Sequence, residues 1–79
     1  MEFLFHSVYH DGNHAKYFNI YKVAENRFLA ECHHFNRAQA QACEENFELV
    51  KEGDTWKTNK YQFEHEATYI GEEIDRVRE

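Results

Sequence analysis

Proline is absent from this chain, and glycine occurs only three times among its 79 residues. So few backbone-breaking residues argue against linkers and low-complexity tails. No apolar run approaches the roughly 18 residues that a transmembrane helix needs, and Met1 is followed by Glu2 without a basic region. We therefore expect neither a signal peptide nor a membrane span, and the predicted location is the cytoplasm.

Cysteine is also scarce. The two cysteines, Cys32 and Cys43, do not make the disulfide framework of a small secreted protein. In a cytosolic chain such residues are ordinarily free and reduced. We expect two free thiols, with a structural disulfide as the alternative.

Hydrophobic residues are abundant by comparison. They make up 42% of the chain, and aromatic residues make up 16%. This composition predicts one packed domain over residues 1–79 rather than a disordered chain. A chain this short buries a smaller share of its surface than a larger protein does, and a partner chain commonly compensates for that.

The net charge of -6 is unevenly distributed. The first 40 residues hold four acidic and four basic residues, and the remaining residues hold eleven acidic and five basic ones. An acidic second half repels a phosphate backbone, so direct nucleic-acid binding is not expected.

Three stretches have the aromatic and β-branched pattern of strands, at about 2–9, 14–24 and 27–35. Asp11-Gly12 is a strong two-residue hairpin signal between the first two, and Glu25-Asn26 is a weaker one between the second and third. The pattern predicts a three-stranded antiparallel meander within an α+β domain.

The register follows by counting if both turns are two-residue loops. Phe5 then pairs with Phe18, and His6 with Tyr17. One predicted face carries Phe3, Phe5, Tyr9, Phe18, Ile20 and Leu29. The other carries Leu4, His6, Val8, Tyr17, Tyr21, Ala30, Cys32 and His34. A slip of one residue in either turn would exchange these faces.

The pattern changes after Phe35. A capping-box pattern begins at Asn36, and helix-forming residues follow from about residue 37. Two alternatives remain for the next stretch: the helix continues to Glu52, or a second hairpin spans about 47–58. The Thr-Trp-Lys-Thr run at 55–58 favours the hairpin.

The last segment, at about 60–78, is predicted to be an amphipathic helix. Its apolar residues recur at helical spacing: Phe63, Ala67, Ile70, Ile74 and Val77. Gly71 is a weak point, because glycine costs about 1 kcal/mol against alanine inside a helix. The apolar stripe is expected to pack on the predicted Phe3/Phe5/Phe18/Ile20 face.

One row on the other predicted face suggests chemistry. His6, Tyr17 and His34 project from adjacent strands, with Cys32 diagonal to them. Two imidazoles and a thiol are suitable zinc ligands, so His6, His34 and Cys32 form a candidate metal site. No CxxC or HExxH spacing supports it, and no other cofactor or catalytic residue is predicted. Tolerated polar residues on a half-exposed sheet face are the alternative explanation.

The aromatic load suggests an interface instead. If helices cover only one face of the sheet, Tyr17, Tyr21, Val23 and Phe28 are left exposed as a ligand or partner surface. The alternative is that both faces are buried within one chain. The leading hypothesis is a small cytoplasmic protein-interaction or regulatory module, without evident enzymatic chemistry, that forms a homodimer. The other hypotheses are a small-ligand or zinc-binding protein, and an acidic inhibitor that mimics nucleic acid.

Overall fold

The computed structural model describes residues 1–12, 14–32 and 45–78. Over these residues the chain is an α+β fold, with antiparallel strands in one sheet and a C-terminal helix. The strands are β1 (Glu2–Asp11), β2 (His14–Ala24), β3 (Arg27–Cys32), β4 (Phe47–Glu52) and β5 (Thr55–Thr58). A 3-10 turn, Tyr61–Phe63, leads into α1 (Glu64–Arg78).

The described strands are ordered β1-β2-β3-β4-β5, so sequential strands are neighbours throughout. The predicted meander is therefore extended by the hairpin of β4 and β5, which was the favoured alternative for this stretch. Glu52 pairs with Thr55 across Gly53, whose φ of 62° is a conformation that glycine adopts without strain.

Element bounds differ from the predicted ones. β1 runs on to Asp11 instead of ending near residue 9, and the α-helix begins at Glu64 instead of about residue 60. The described part of the third strand ends at Cys32. The helix predicted from about residue 37 lies outside the described residues.

The longer β1 changes the first register. Asp11 pairs with His14, so Phe5 lies opposite Ile20 and not opposite Phe18 as predicted. This shift moves each pair by two residues, which keeps side chains on their predicted faces. An extra residue in β1 between Phe3 and Phe5 then breaks the alternation. Phe3 consequently leaves the face that it was predicted to share with Phe5.

A second β-bulge reverses the predicted faces of β3. Lys22 pairs with Phe28 and Ala24 pairs with Arg27, which leaves Val23 as an extra residue in β2. The predicted turn at Glu25-Asn26 is present, but the bulge shifts the rest of the register by one residue. Phe28, Ala30 and Cys32 therefore share the face of Phe18, and Leu29 and Glu31 share the opposite one.

The core lies between α1 and one face of the sheet. Its buried side chains are Phe18, Ile20, Phe28, Ala30, Phe47, Leu49, Phe63, Ala67, Ile70 and Ile74. Burying each large apolar side chain contributes about 1.5–3 kcal/mol. The predicted helix stripe supplies four of these residues, whereas Val77 is exposed. The stripe packs on Phe18 and Ile20 as predicted, but Phe3 is not part of that face.

Trp56 anchors the helix to the edge of the sheet. The indole Nε1 donates a hydrogen bond of 3.1 Å to the Asp75 carboxylate, and the Lys51 ammonium lies 5.1 Å from the ring centroid. The same ammonium contacts both Asp75 oxygens at 2.8 Å. A Cβ on Gly71 would lie 2.3 Å from Trp56 Cγ, so the ring occupies the space that any other residue would fill.

Candidate functional site: the open face of the sheet

One face of the sheet has no described helix against it, and we call it the open face. Cross-strand pairing assigns its members: Phe3, His6, Val8, His10, Ala15, Tyr17, Asn19, Tyr21, Arg27, Leu29, Glu31, Glu48, Val50, Glu52, Thr55 and Lys57. Phe3 is 46% exposed, and the apolar members on the central strands are half-buried. An exposed surface with this aromatic content is typical of an interaction site.

A polar row crosses the centre of the open face. His6 pairs with Asn19, and Asn19 pairs with Glu31, so the three side chains stand side by side on β1, β2 and β3. Asn19 Nδ2 donates to Glu31 Oε1 at 3.1 Å, which turns Asn19 Oδ1 towards His6 Nδ1 at 2.6 Å. Since an amide oxygen only accepts, His6 Nδ1 carries the proton. The row therefore fixes both the orientation and the tautomer of the imidazole.

Aromatic rings border this row. The Phe3 ring lies 5.0 Å from the His6 ring and 5.6 Å from the Tyr21 ring, measured between centroids. Tyr21 Oη donates a 3.3 Å hydrogen bond to Glu31 Oε1. Desolvation raises the pKa of Tyr21, and the charge and hydrogen bond of Glu31 raise it further. The phenol consequently stays neutral and holds Glu31 in place.

Charges on the open face are of both signs. Arg27 and Lys57 contribute two cations, and Glu31, Glu48 and Glu52 contribute three anions. Arg27 Nε lies 4.0 Å from Glu48 Oε1, a weak contact between largely exposed groups. The open face therefore carries charges of both signs in nearly equal number, although the whole chain carries a charge of -6.

The structure separates the residues of the predicted metal site. His6 lies on the open face, whereas Cys32 pairs with Phe18 on the face that packs against the helix. Cys32 is moreover disulfide-bonded, so the prediction of a free thiol is wrong for this residue. His34 and the other cysteine, Cys43, lie outside the described residues. Within 1–12, 14–32 and 45–78, no cluster of three or more His, Cys, Asp or Glu side chains is arranged to hold a metal.

The predicted interface residues have three different outcomes. Tyr17 and Tyr21 lie half-buried on the open face, as the pattern indicated. Val23 is 42% exposed, but as the extra residue of the bulge. Phe28 is fully buried in the core, so its assignment to an exposed surface is wrong. The bulge at Val23 is the cause, because it inverts β3.

The sequence interpretation missed Asn19, Glu31 and Phe3 as members of one cluster. Asn19 and Glu31 were not paired because the register counted from the Glu25-Asn26 turn is off by one residue in β3. Phe3 was assigned to the core because strict alternation puts it with Phe5. Aromatic residues flanking a histidine were visible in Phe3-Leu4-Phe5-His6, but neither bulge has a sequence signal of its own.

The fold and this face define a class: a small α+β domain in which one helix covers one side of an antiparallel sheet. No protein-family model matches the chain, and no curated protein or solved structure matches it either. In the described part of the chain, no helix is both long enough and apolar enough to cross a membrane.

Proposed function

We propose that this chain is a small protein-interaction module that self-associates by packing its open face against the open face of a second copy. The supporting observation is Phe3, a large aromatic side chain that is 46% exposed beside Tyr21 on the face that α1 does not cover. Aromatic residues, phenylalanine included, are enriched in the buried cores of protein interfaces.

The charge distribution favours a second copy as the occupant. A two-fold interface places the same patch on both partners, so the patch must be complementary to itself. The cations Arg27 and Lys57 share the open face with the anions Glu31 and Glu48, which satisfies that requirement. α1 carries five of the eleven acidic residues of the second half, so two copies would repel each other on the helix side.

Native mass spectrometry and sedimentation at increasing concentration test this proposal. We expect a mass of twice 9.6 kDa, and we expect Phe3→Glu to shift the assembly to monomer, because a charge would be buried without a partner. Val77→Glu is the matched control: Val77 is 57% exposed but lies on α1, so the dimer should persist. A wild-type monomer at high concentration, or equal effects of both variants, would contradict the proposal.

A second candidate is a small-ligand site at the polar row. The observation that favours it is the fixed imidazole of His6 beside the Phe3 ring. Zinc binding by His6, His34 and Cys32 would in addition require reduction of the Cys32 bond and movement across the sheet. The same native spectrum, recorded without chelator, reports any metal bound to the chain.

The third candidate, an acidic inhibitor, receives less support from the contacts of α1. Glu66 is ion-paired with Lys16 at 2.8 Å, and Asp75 is engaged by Lys51 and Trp56. Acidic groups that are held within the fold are not available to mimic phosphates. Salt-sensitive binding to a basic protein would restore this candidate.

The cytoplasmic location stays a prediction, and the bond at Cys32 bears on it. Disulfides persist in oxidising compartments and are rare in the cytosol. Mass spectrometry of the chain purified under alkylating conditions would show which redox form the cell contains.

A further inference from the structure

The outer edge of β5 is the second surface of interest. β5 pairs with β4 on one side, and no other described strand pairs with its opposite side. An edge strand presents unpaired N–H and C=O groups that can bind another strand. Thr55–Thr58 is short, so this edge offers room for a brief extended segment and not for a whole sheet.

A cleft of about 440 Å³ runs beside this edge. Residues 56–59 form one wall, and Tyr61, Glu64 and Thr68 from the 3-10 turn and the start of α1 form the other. Its volume falls in the range of about 300–1,000 Å³ that is usual for binding pockets. A groove between a strand edge and a helix is the geometry in which domains bind an extended peptide by adding it to a sheet.

The side chains of the cleft define the charge of its ligand. Lys57 pairs with Val50, so its side chain projects to the open face and away from the helix. Glu64 is exposed on the opposite wall, and Tyr61 is 85% exposed beside it. A carboxylate next to an exposed aromatic ring suits a cationic side chain, which can pair with the first and lie over the second.

We propose that this cleft binds an extended peptide with a basic side chain, added antiparallel or parallel to β5. The backbone of the peptide hydrogen-bonds with the free edge of Thr55–Thr58, and its lysine or arginine pairs with Glu64 and packs on Tyr61. The net charge of -6 attracts such a peptide over a longer range. This surface shares Lys57 with the open face, but its other lining residues lie at the β5 edge and on the helix side, so it serves a different partner from the second copy.

The experiment is a titration of the ¹⁵N-labelled protein, followed by NMR, with the capped hexapeptide Thr-Lys-Val-Arg-Val-Thr. We expect chemical-shift changes at Trp56, Lys57, Thr58 and Glu64, including the single indole N–H. Two control peptides should bind at least tenfold more weakly: one with glutamate in place of both basic residues, and one N-methylated at alternate amides. The first removes the charge, and the second removes the edge hydrogen bonds.

A pair of charge reversals tests the role of Glu64. Glu64→Lys should weaken the basic peptide about tenfold and strengthen the glutamate peptide, because an exposed ion pair becomes a repulsion. Glu72→Lys is the matched control, since Glu72 is exposed on the same helix outside the cleft and its reversal changes the net charge equally. Thermal melts verify that both variants fold.

Several outcomes would overturn the proposal. These are no shift changes at millimolar peptide, changes confined to the open face, equal binding of the N-methylated peptide, or equal effects of Glu64→Lys and Glu72→Lys. Unchanged peptide binding in Phe3→Glu supports the proposal whether or not this variant dimerises, because Phe3 is not part of the cleft.

Discussion

Gly71→Ala is the substitution that best tests the packing of the helix on the sheet. In a helix open to solvent this change is stabilising by about 1 kcal/mol, because alanine restricts the unfolded chain and glycine does not. Here the new methyl group would lie 2.3 Å from Trp56 Cγ and 2.4 Å from Trp56 Cδ1. One of the two elements must therefore move.

The expected magnitude follows from the contacts of Trp56. The ring lies 5.5 Å from the Phe28 ring on one side, and its N–H is held by Asp75. Losing a hydrogen bond to a charged group costs about 1.5–3 kcal/mol, and losing the Lys51 cation–π contact costs about 0.5–1 kcal/mol. After the helix gain of about 1 kcal/mol is subtracted, Gly71→Ala should lower the free energy of unfolding by about 1–3 kcal/mol.

Urea denaturation followed by far-UV circular dichroism measures this free energy. The decisive control is the same substitution in a Trp56→Ala background, where the clashing Cγ and ring are removed and Gly71→Ala should become neutral or stabilising. A stabilising effect of Gly71→Ala in the wild-type chain would refute the reasoning. So would an equal loss in both backgrounds, because the cause would then lie outside the contact with Trp56.

Two further predictions concern the disulfide and the open face. Cys32→Ser should lower the free energy of unfolding by about 3 kcal/mol if its bond closes a loop of about 12 residues. Cys43→Ser should match it because the sequence contains no third cysteine, and a reducing agent should have no effect on either variant in the same denaturation assay. The pKa of Tyr21 is raised by desolvation and by Glu31, so folding favours the neutral phenol. That contribution is complete below about pH 10 and is lost as the pH rises through the folded-state pKa, so the alkaline loss of stability should be smaller in Tyr21→Phe. Identical stability profiles for Tyr21→Phe and wild type above about pH 10 would contradict this linkage.

Local patterns predicted most of the elements. Alternation identified the first three strands, and the Thr-Trp-Lys-Thr run favoured a hairpin over a continued helix. The apolar spacing from Phe63 to Ile74 identified the helix face that packs on the sheet. These features depend on neighbouring residues, which is why a single sequence contains enough information for them.

The candidate site was predicted less completely. Its histidine and two tyrosines were placed on the correct face, because a shift of two residues in the first hairpin preserves the alternation. Glu31 and Cys32 lie on the opposite faces of the sheet from those that the counted register gives them, because Val23 is an extra residue in β2. The bulge places Phe28 and Ala30 in the core, and this burial depends on residues far from the turn in the sequence, so counting from the turn could not detect it.

The Gly71–Trp56 contact is a similar case. Sequence propensity describes glycine within a helix as a defect. The structure gives it a role, because the bare helix surface at Gly71 accommodates the Trp56 ring and lets Asp75 reach the indole. Propensity scales describe a residue within its own helix and do not include the packing of a side chain from another element against it.

The bulge at Val23 has a consequence for how the chain tolerates genetic change. Replacing Val23 by another residue alters one exposed side chain, whereas deleting it would turn β3 over. Leu29 and Glu31 would then point at the helix, and Phe28 and Ala30 would point outward. Loss of a single codon here would therefore exchange the inside and the outside of a strand without changing any of its residues. Relatives of this chain should accordingly vary freely in identity at this position while conserving the length of the segment between Lys22 and Arg27.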